Sequence, residues 1–181
     1  MFLRLLLNFP IFIGQIFQFI LVSVIIGSLS FFLGQLLPRK NFDWTMFPYK
    51  SFAWERNGLV YTRLKIQFWK DRVPDMSRYI RSVFRKKICV FRSGEYLEGL
   101  IRETCVAELV HWMLIFVSPI FMLQIDGIGG IIGTICYAIG NLPFILIQRY
   151  NRPRLVMLLE RQQCAVKRLN KVGGLQSSTA G

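Results

Sequence analysis

Two ionisable residues stand inside an otherwise uncharged, apolar stretch that runs from Thr104 to Ile125. They are Glu108 and His111, and His111 is the only histidine in the chain. Residues three apart lie on one face of a helix, where a carboxylate can orient an imidazole and stabilise its protonated form. A charge in hydrocarbon costs at least about 2.5–3.5 kcal/mol, so such residues are functional candidates. The pattern predicts His111 as a general base with Glu108 as its companion.

Other interpretations of this pair remain open. Glu108 and His111 could instead pair to hold helices together, which is a purely structural role. Metal binding is disfavoured because two ligands are too few and the chain has no second histidine. Glu103, two helical turns before His111, is either a further ligand-binding residue or a charge at the border of the apolar stretch.

A second polar group begins at Asn141 and continues beyond Pro143 into a compact run of arginines. Asn141 would be a costly polar group in lipid without a polar partner. Pro143 removes one helical hydrogen bond, so a bend is expected there. Guanidinium groups bind phosphate or carboxylate through paired hydrogen bonds, although arginines also collect at the ends of ordinary membrane spans. The candidate substrate-binding residues are Arg149, Tyr150, Asn151, Arg152, Arg154 and Glu103.

These candidates need elements to position them, and the charge distribution predicts three helices. Apolar runs cover Leu5 to Leu37, Thr104 to Ile125 and Gly127 to Gln148, and each meets the roughly 20-residue length of a membrane-crossing helix. The predicted fold is an all-α integral membrane protein with three transmembrane helices and a basic cytoplasmic interfacial loop. Its parts are a first transmembrane helix (1–38), a basic and aromatic interfacial region (39–103), a transmembrane hairpin (104–148) and a basic cytoplasmic tail (149–181).

The predicted hairpin brings the two polar groups to one depth. If its helices run antiparallel about a turn at Asp126, residues equally far from Asp126 along the chain are level. His111 and Asn141 are such a pair, so we expect a polar contact between them, direct or through one water. Small residues at spacings of three or four also predict close packing of the spans. They are Ser23, Gly27, Ser30, Gly34, Gly129, Gly130, Gly133 and Gly140.

Charge and hydropathy set the expected location and the class of partner. The chain has 23 Lys+Arg against 10 Asp+Glu, a formal charge of +13, and a mean hydropathy of +0.41 that argues against an ordinary soluble domain. Positive residues stay on the cytoplasmic side, which predicts a multi-pass cell-membrane protein with its N-terminus outside and its C-terminus in the cytoplasm. Basic residues that flank the spans favour membrane lipids over nucleic acid as partners. The oligomeric state is left open.

The interfacial region contains a predicted amphipathic helix. From Pro74 to Arg92, apolar residues recur every three or four positions among arginines and lysines, which is typical of a helix lying in the headgroup plane. The aromatic residues before it, from Trp44 to Trp69, accumulate as they do at membrane interfaces. A small soluble cap with an ordinary core is the alternative interpretation.

The two polar groups also carry a family resemblance. The segments Glu-Thr-x-x-Ala-Glu-Leu-x-His-Trp (Glu103 to Trp112) and Asn-x-Pro-x-x-x-x-Gln-Arg-Tyr-Asn-Arg-Pro-Arg-Leu (Asn141 to Leu155) resemble those of the glycosyl-diaponeurosporenoate acyltransferases. The resemblance implies a membrane-bound O-acyltransferase-type activity that transfers a fatty acyl group to a sugar hydroxyl of a glycosylated carotenoid or similar glycolipid. It implies a lipid-like glycosylated acceptor and an activated acyl donor, such as acyl-CoA, as co-substrate, with no cofactor.

The resemblance and the residues together suggest a division of roles. His111, with Glu108 beside it, would take the proton of the attacking hydroxyl, and Asn141 would hold the carbonyl oxygen. Arg149, Arg152 and Arg154 would bind the phosphate of the donor. No serine or cysteine pairs obviously with His111, which favours direct transfer over a covalent acyl-enzyme. The competing hypothesis is a non-catalytic membrane scaffold or lipid-presenting subunit.

Overall fold

The computed structural model describes the backbone of residues 2–70 and 94–178 and the side chains of residues 11–70 and 94–168. No strand occurs within these ranges. They contain the α-helices α1 (Phe2–Leu36), α2 (Val60–Arg63), α3 (Ile66–Trp69), α4 (Gly94–Val117), α5 (Ile120–Gln124) and α6 (Ile128–Ser178). Two 3-10 helices, Arg39–Asn41 and Ala53–Glu55, lie between α1 and α2. The amphipathic helix predicted from Pro74 to Arg92 lies outside the described residues.

Three stretches are long and apolar enough to cross a membrane, namely Ile11–Leu36, Gly94–Gln124 and Ile128–Arg168. They coincide with the three apolar runs of the sequence, so the prediction of an all-α membrane protein with three spans is confirmed. The apolar side chains of α1 are mostly exposed, as at Phe17 (67%) and Phe32 (64%). Exposed apolar side chains along a regular helix are suited to contact with lipid tails.

The helix boundaries differ from the predicted ones at two points. The second span is interrupted between α4 and α5, because Pro119 lacks the backbone N–H that would continue the hydrogen-bond ladder of α4. There the Ser118 hydroxyl donates to the carbonyl of Ile115 at 2.7 Å. The third span continues as a helix far past Gln148, to Ser178. Arginine and leucine are good helix formers, so the backbone stays helical where the apolar character of the sequence ends.

The first of two compact units comprises Met1–Pro38 and Val106–Leu146. Its core is built from Ile26, Leu114, Phe121 and Ile125. The ring of Phe121 lies 4.9 Å from that of Phe19 on α1 and 5.0 Å from that of Tyr137 on α6. Burial of apolar surface gives little drive for association in a bilayer, so the fit of these rings stabilises the packing of the helices.

Close backbone approach is confirmed at some of the predicted small residues. A Cβ atom on Gly130 would lie 2.4 Å from the carbonyl oxygen of Ile125, and one on Gly34 would lie 3.1 Å from Cγ2 of Val110. A Cβ atom at Gly27 or Gly140 would meet nothing within 4 Å. Spacing alone therefore identified the stripe of small residues, but not which members lie at a contact.

The second unit comprises Arg39–Cys105 and Ile147–Gly181. Its apolar core is small, with Leu97, Ile101 and Leu159 buried and Trp44, Leu155 and Val156 packed against them. The segment from the Ala53–Glu55 helix to α3 turns tightly. Gly58 there has φ +82, and a Cβ on it would lie 3.5 Å from both Pro153 Cγ and Arg154 Nη1. The positive φ favours glycine at this position, and the two distances place the turn in van der Waals contact with α6.

Candidate functional site

His111 and Asn141 form the polar contact that the sequence predicted. Nδ1 of His111 lies 2.9 Å from Oδ1 of Asn141, which joins α4 to α6 within the first unit. Thr134 and Ser118 are also equally distant from Asp126 along the chain, and the Thr134 hydroxyl donates to the Ser118 carbonyl at 3.2 Å. Residues equally distant from Asp126 are therefore level at two places, which confirms the antiparallel hairpin.

The hydrogen bonds of Asn141 fix which nitrogen of His111 carries the proton. Nδ2 of Asn141 donates to the carbonyl of Tyr137 at 2.8 Å, so the amide oxygen is the atom that faces the imidazole. An amide oxygen only accepts, and Nδ1 of His111 must then carry the hydrogen. In the neutral ring the lone pair consequently lies on Nε2, which is the atom able to accept a proton.

An aromatic ring also contacts the imidazole. The ring of Phe144 stacks on His111 with centroids 4.5 Å apart and planes 11° apart. Glu108, one turn earlier on α4, is 1% exposed. The stacked ring and the bond to Asn141 together hold the orientation of the imidazole. Proton transfer by His111 with Glu108 as its companion stays a prediction.

In the second unit, Arg149 forms a buried ion pair with Glu55. Its Nε donates to Oε1 of Glu55 at 2.5 Å and its Nη2 to Oε2 at 3.1 Å. Nη1 donates to the carbonyl of Pro48 at 3.1 Å. The hydroxyl of Tyr61 and the backbone N–H of Phe52 also donate to the Glu55 carboxylate. The side chains of Arg149 and Glu55 are only 9% and 1% exposed. Their mutual attraction and the additional hydrogen bonds offset the cost of burying both charges.

This network shifts two ionisations outside the membrane-spanning stretches. Burial raises the pKa of Glu55, but hydrogen bonds from Arg149, Tyr61 and the Phe52 N–H outweigh it and leave that pKa below its ordinary value. Burial, followed by the hydrogen bond to Glu55, raises the pKa of Tyr61 well above the usual value for a phenol. The carboxylate is therefore charged and the phenol a donor over the whole physiological range.

Arg152 is bound by protein groups in a similar way. Its Nε donates to the hydroxyl of Thr104 at 2.9 Å and its Nη2 to the Thr104 carbonyl at 3.0 Å. Nη1 donates to the carbonyl of Tyr49 at 2.8 Å, and the side chain is buried. Arg152 thus holds α6 both to α4 and to the irregular segment, the chain between α1 and α2. Binding of an acyl donor by Arg149 or Arg152 stays a prediction. It requires that the guanidinium either leaves some of these protein acceptors or binds the donor in addition to them.

The other residues of the predicted arginine run lie around one aromatic ring. Arg154 places its guanidinium carbon 3.5 Å from the centroid of the buried Tyr150 ring, and Lys70 places Nζ 5.3 Å from the same centroid. Lys70 also donates to the side-chain oxygen of Asn151 at 3.4 Å. The sixth candidate, Glu103, lies elsewhere and forms an exposed pair with Arg39, with bonds of 2.8 and 3.3 Å.

Sequence reasoning missed the partners that the irregular segment supplies. Neither Glu55 nor Tyr61 was among the predicted site residues, nor were the carbonyls of Pro48 and Tyr49 that accept from the arginines. One signal was available, because Glu55 is the only carboxylate between Asp43 and Asp71 in an aromatic, basic stretch. An isolated acid in such a setting tends to be buried against an arginine, although no spacing rule names which one.

A family of known proteins matches most of this chain. The sequence profile of the family CrtO, described as glycosyl-4,4'-diaponeurosporenoate acyltransferase, matches residues 45–161. Proteins of that name from Staphylococcus aureus strains bovine RF122 / ET3-1 and MRSA252 are each 34% identical over 129 residues, which cover 70% of this chain and 77% of theirs. The protein of that name from strain N315 is 33% identical over the same shares.

No solved structure matches this chain. The profile match contains both the Glu103–Trp112 and the Asn141–Leu155 segments. The chain therefore belongs to the glycosyl-4,4'-diaponeurosporenoate acyltransferase family, a family of acyltransferases, and spans the membrane with three apolar helices.

Proposed function

We propose that this chain transfers a fatty acyl group from an activated donor to a sugar hydroxyl of glycosyl-4,4'-diaponeurosporenoate or a closely similar glycolipid. The observation that carries the proposal is the 34% identity, over 129 residues, to proteins named for that activity. The family match over residues 45–161 includes both partners of the His111–Asn141 bond. The acceptor, with its apolar polyene, would be drawn from the membrane.

In the proposed reaction His111 acts as the general base. Its Nε2 takes the proton of the sugar hydroxyl while that oxygen attacks the acyl carbonyl of the donor. The new ester C–O bond forms, the C–S bond of a thioester donor breaks, and the leaving thiolate recovers the proton from the imidazolium. Proton transfer by a positioned side chain typically contributes about 10²–10⁴-fold to rate. No acyl-enzyme intermediate is needed in this scheme.

The contacts of Asn141 support an orienting role for it. By accepting from Nδ1–H it holds the tautomer with a basic Nε2, and it stabilises the imidazolium that forms when Nε2 is protonated. One proton of Nδ2 is already donated to the Tyr137 carbonyl. The oxyanion role predicted from the sequence would use the second Nδ2 proton. The two roles predict different kinetics for Asn141→Asp.

The proposal also includes an orientation in the cell membrane. The stretch from Arg39 to Glu103 contains 15 Lys+Arg and the stretch from Arg149 onward contains seven, so both lie in the cytoplasm, with the N-terminus and Asp126 outside. In a variant without other cysteines, Asp126→Cys should react with an impermeant maleimide in intact cells. A variant that keeps only the exposed Cys164 should react after lysis alone, and the reverse pattern would refute the orientation.

Purified protein in lipid vesicles tests the activity itself. Incubation with acyl-CoA and the glycosylated carotenoid acid should give an ester that is heavier by one acyl group in mass spectrometry. A matched reaction with the non-glycosylated carotenoid acid should give none, because it lacks the sugar hydroxyl. If folded protein forms no ester with any acyl donor, yet restores product formation when a partner enzyme is added, the scaffold hypothesis replaces this one.

A further inference from the structure

The second unit carries an open concavity that the proposed reaction does not use. It has a volume of about 280 Å³ and is lined by Trp54, Arg56, Leu59, Val60 and Arg63. All five residues come from one short segment that ends in α2, so a single stretch of chain forms the whole lining. Two of the five are cationic and none is acidic. The concavity is therefore suited to a ligand that is anionic and partly apolar.

The two arginines differ from those of the buried network. Arg56 and Arg63 are exposed, whereas Arg149 and Arg152 are buried. Neither Arg56 nor Arg63 takes part in the Arg39–Glu103 or the Arg149–Glu55 ion pair, and neither pairs with a carboxylate among the residues that the structure describes. Both guanidinium groups are exposed there and can meet an external anion.

Contacts of the residues on both sides of Arg56 fix the turn that carries it. Glu55, immediately before it, is held by Arg149, and Gly58, two residues later, lies against Pro153 and Arg154. Between these anchors Arg56 adopts φ 47 and Asn57 φ 53, a region in which bulky residues rarely lie. A side chain on a turn anchored at both ends loses less freedom when it binds a ligand.

Exposed apolar side chains surround the two arginines. Trp54 is 61% exposed and Leu59 60%, and on the same segment Leu64 is 51% and Phe68 67% exposed. The indole of Trp54 stacks on Phe52 with planes 11° apart, which holds its orientation. Aromatic and aliphatic side chains beside cationic ones are what the headgroup layer of a membrane accommodates. A soluble anion would leave these apolar side chains in water.

We propose that this concavity binds the phosphodiester headgroup of an anionic phospholipid, with Arg56 and Arg63 on the phosphate and Trp54 and Leu59 against the glycerol and upper acyl chains. Charge complementarity and the exposed apolar rim favour a lipid over a soluble phosphate or nucleotide. The site would fix the depth of the second unit at the membrane surface. The inference does not rest on the proposed acyl transfer.

Titration of the purified full chain in neutral detergent with dihexanoyl-phosphatidylglycerol tests the site, read by the fluorescence change that Trp54→Phe abolishes. Arg56→Gln combined with Arg63→Gln should weaken binding by at least about tenfold, since one basic residue near an anionic surface contributes about fivefold. The matched control, Arg161→Gln with Arg168→Gln, removes the same charge at exposed positions of α6 and should stay within about twofold. Each single variant should lose part of the affinity, and circular dichroism should show all of them folded.

Three results would overturn the proposal. Equal weakening by both double variants would mean diffuse attraction to positive charge. Equal binding of dihexanoyl-phosphatidylcholine would mean that the anionic charge is not recognised. Tighter binding of inorganic phosphate or adenosine 3',5'-bisphosphate than of the short-chain phosphatidylglycerol would make the concavity a site for a soluble phosphate or nucleotide. Selective loss of phosphatidylglycerol binding in the Arg56 and Arg63 variants alone supports it.

Discussion

Each unit of the molecule buries a polar cluster, and the two clusters differ in where their partners come from. In the first unit, His111 and Asn141 project from two regular helices joined by a short turn, and one bond of 2.9 Å links them. In the second unit, Arg149 and Arg152 project from a helix but donate to carbonyl oxygens and a carboxylate in an irregular segment. One cluster is a helix-to-helix pair, and the other joins α6 to the chain between α1 and α2 as well as to Thr104 on α4.

The difference indicates different consequences of substitution. A guanidinium whose nitrogens all donate to protein acceptors supports the fold first, because its removal leaves several buried acceptors without donors. An imidazole held through Nδ1 has a defined tautomer in which Nε2 can take up a proton. We therefore expect changes in the first cluster to reduce the rate of catalysis and changes in the second to reduce stability.

The largest effect is expected for His111→Ala. Loss of the general base should reduce kcat by about 10²–10⁴-fold, while the melting temperature in detergent changes little because the ring is partly exposed. Acyl transfer to the glycosylated acceptor, measured in vesicles, checks this. Phe144→Leu, which removes only the stacked ring, should lose much less of the rate, because the bond to Asn141 still orients the imidazole. Wild-type kcat in folded His111→Ala would exclude the catalytic assignment.

Glu55→Gln should give the largest loss of stability. Removing one member of a buried, hydrogen-bonded ion pair typically costs about 3–5 kcal/mol, because the other charge stays buried. The free energy of unfolding in a mild denaturing detergent should fall by that amount. Tyr61→Phe, which removes one donor to the same carboxylate, should lose about 1–3 kcal/mol. A Glu55→Gln protein as stable as wild type would show that the network contributes little.

The low pKa of Glu55 gives this stabilisation a pH dependence. A carboxyl group whose pKa is lower in the folded than in the unfolded chain contributes stability above its unfolded value and loses it as pH falls through the folded value. Wild type should therefore approach the stability of Glu55→Gln as the pH falls below the ordinary range of a carboxyl group. If the difference in unfolding free energy between wild type and Glu55→Gln stays constant as the pH falls, the ionised Glu55 carboxylate is not the source of this stability.

The same contrast explains how much the sequence could predict. Hydropathy fixed the three spans, and the regular geometry of a helical hairpin then paired His111 with Asn141 by counting from Asp126. That reasoning requires both partners to be on regular elements. Glu55 lies on a three-residue 3-10 helix, and the acceptor carbonyls of Pro48 and Tyr49 lie in the chain before it. No long helical period relates sequence distance to position there. Hydropathy also did not reveal the break of the second span at Pro119, because the sequence stays apolar on both sides of it.

Arg152→Ala separates the two interpretations of the arginine run. The sequence predicts a donor-binding role, in which the KM for the acyl donor rises more than kcat falls. The structure predicts a loss of at least about 2 kcal/mol of stability, since the Thr104 and Tyr49 acceptors lose a charged donor. Donor titrations on protein of verified folding, beside thermal unfolding, measure both. Unchanged stability with a raised KM would favour the donor site, and the opposite result the structural role.

Asn141→Ala should have a smaller effect than loss of the base. An orienting residue acts through His111, so kcat should fall by about tenfold with little change in either KM. Asn141→Asp, which keeps an acceptor for Nδ1–H but lacks the amide N–H groups, should recover most of the rate. If the Asp variant is as slow as the Ala variant, Asn141 acts through its N–H groups, as expected of an oxyanion donor.

The smallest effect is expected for Glu103→Gln. Glu103 was a candidate ligand-binding residue, but its side chain is 52% exposed and is paired with Arg39 through bonds of 2.8 and 3.3 Å. Exposed pairs of this kind contribute between 0 and about 1 kcal/mol, and salt screens them. The unfolding free energy should therefore change by less than about 1 kcal/mol, with donor and acceptor KM unchanged. A change in KM of more than about fivefold would instead place Glu103 at a substrate, because loss of one hydrogen bond to a charged group has that order of effect.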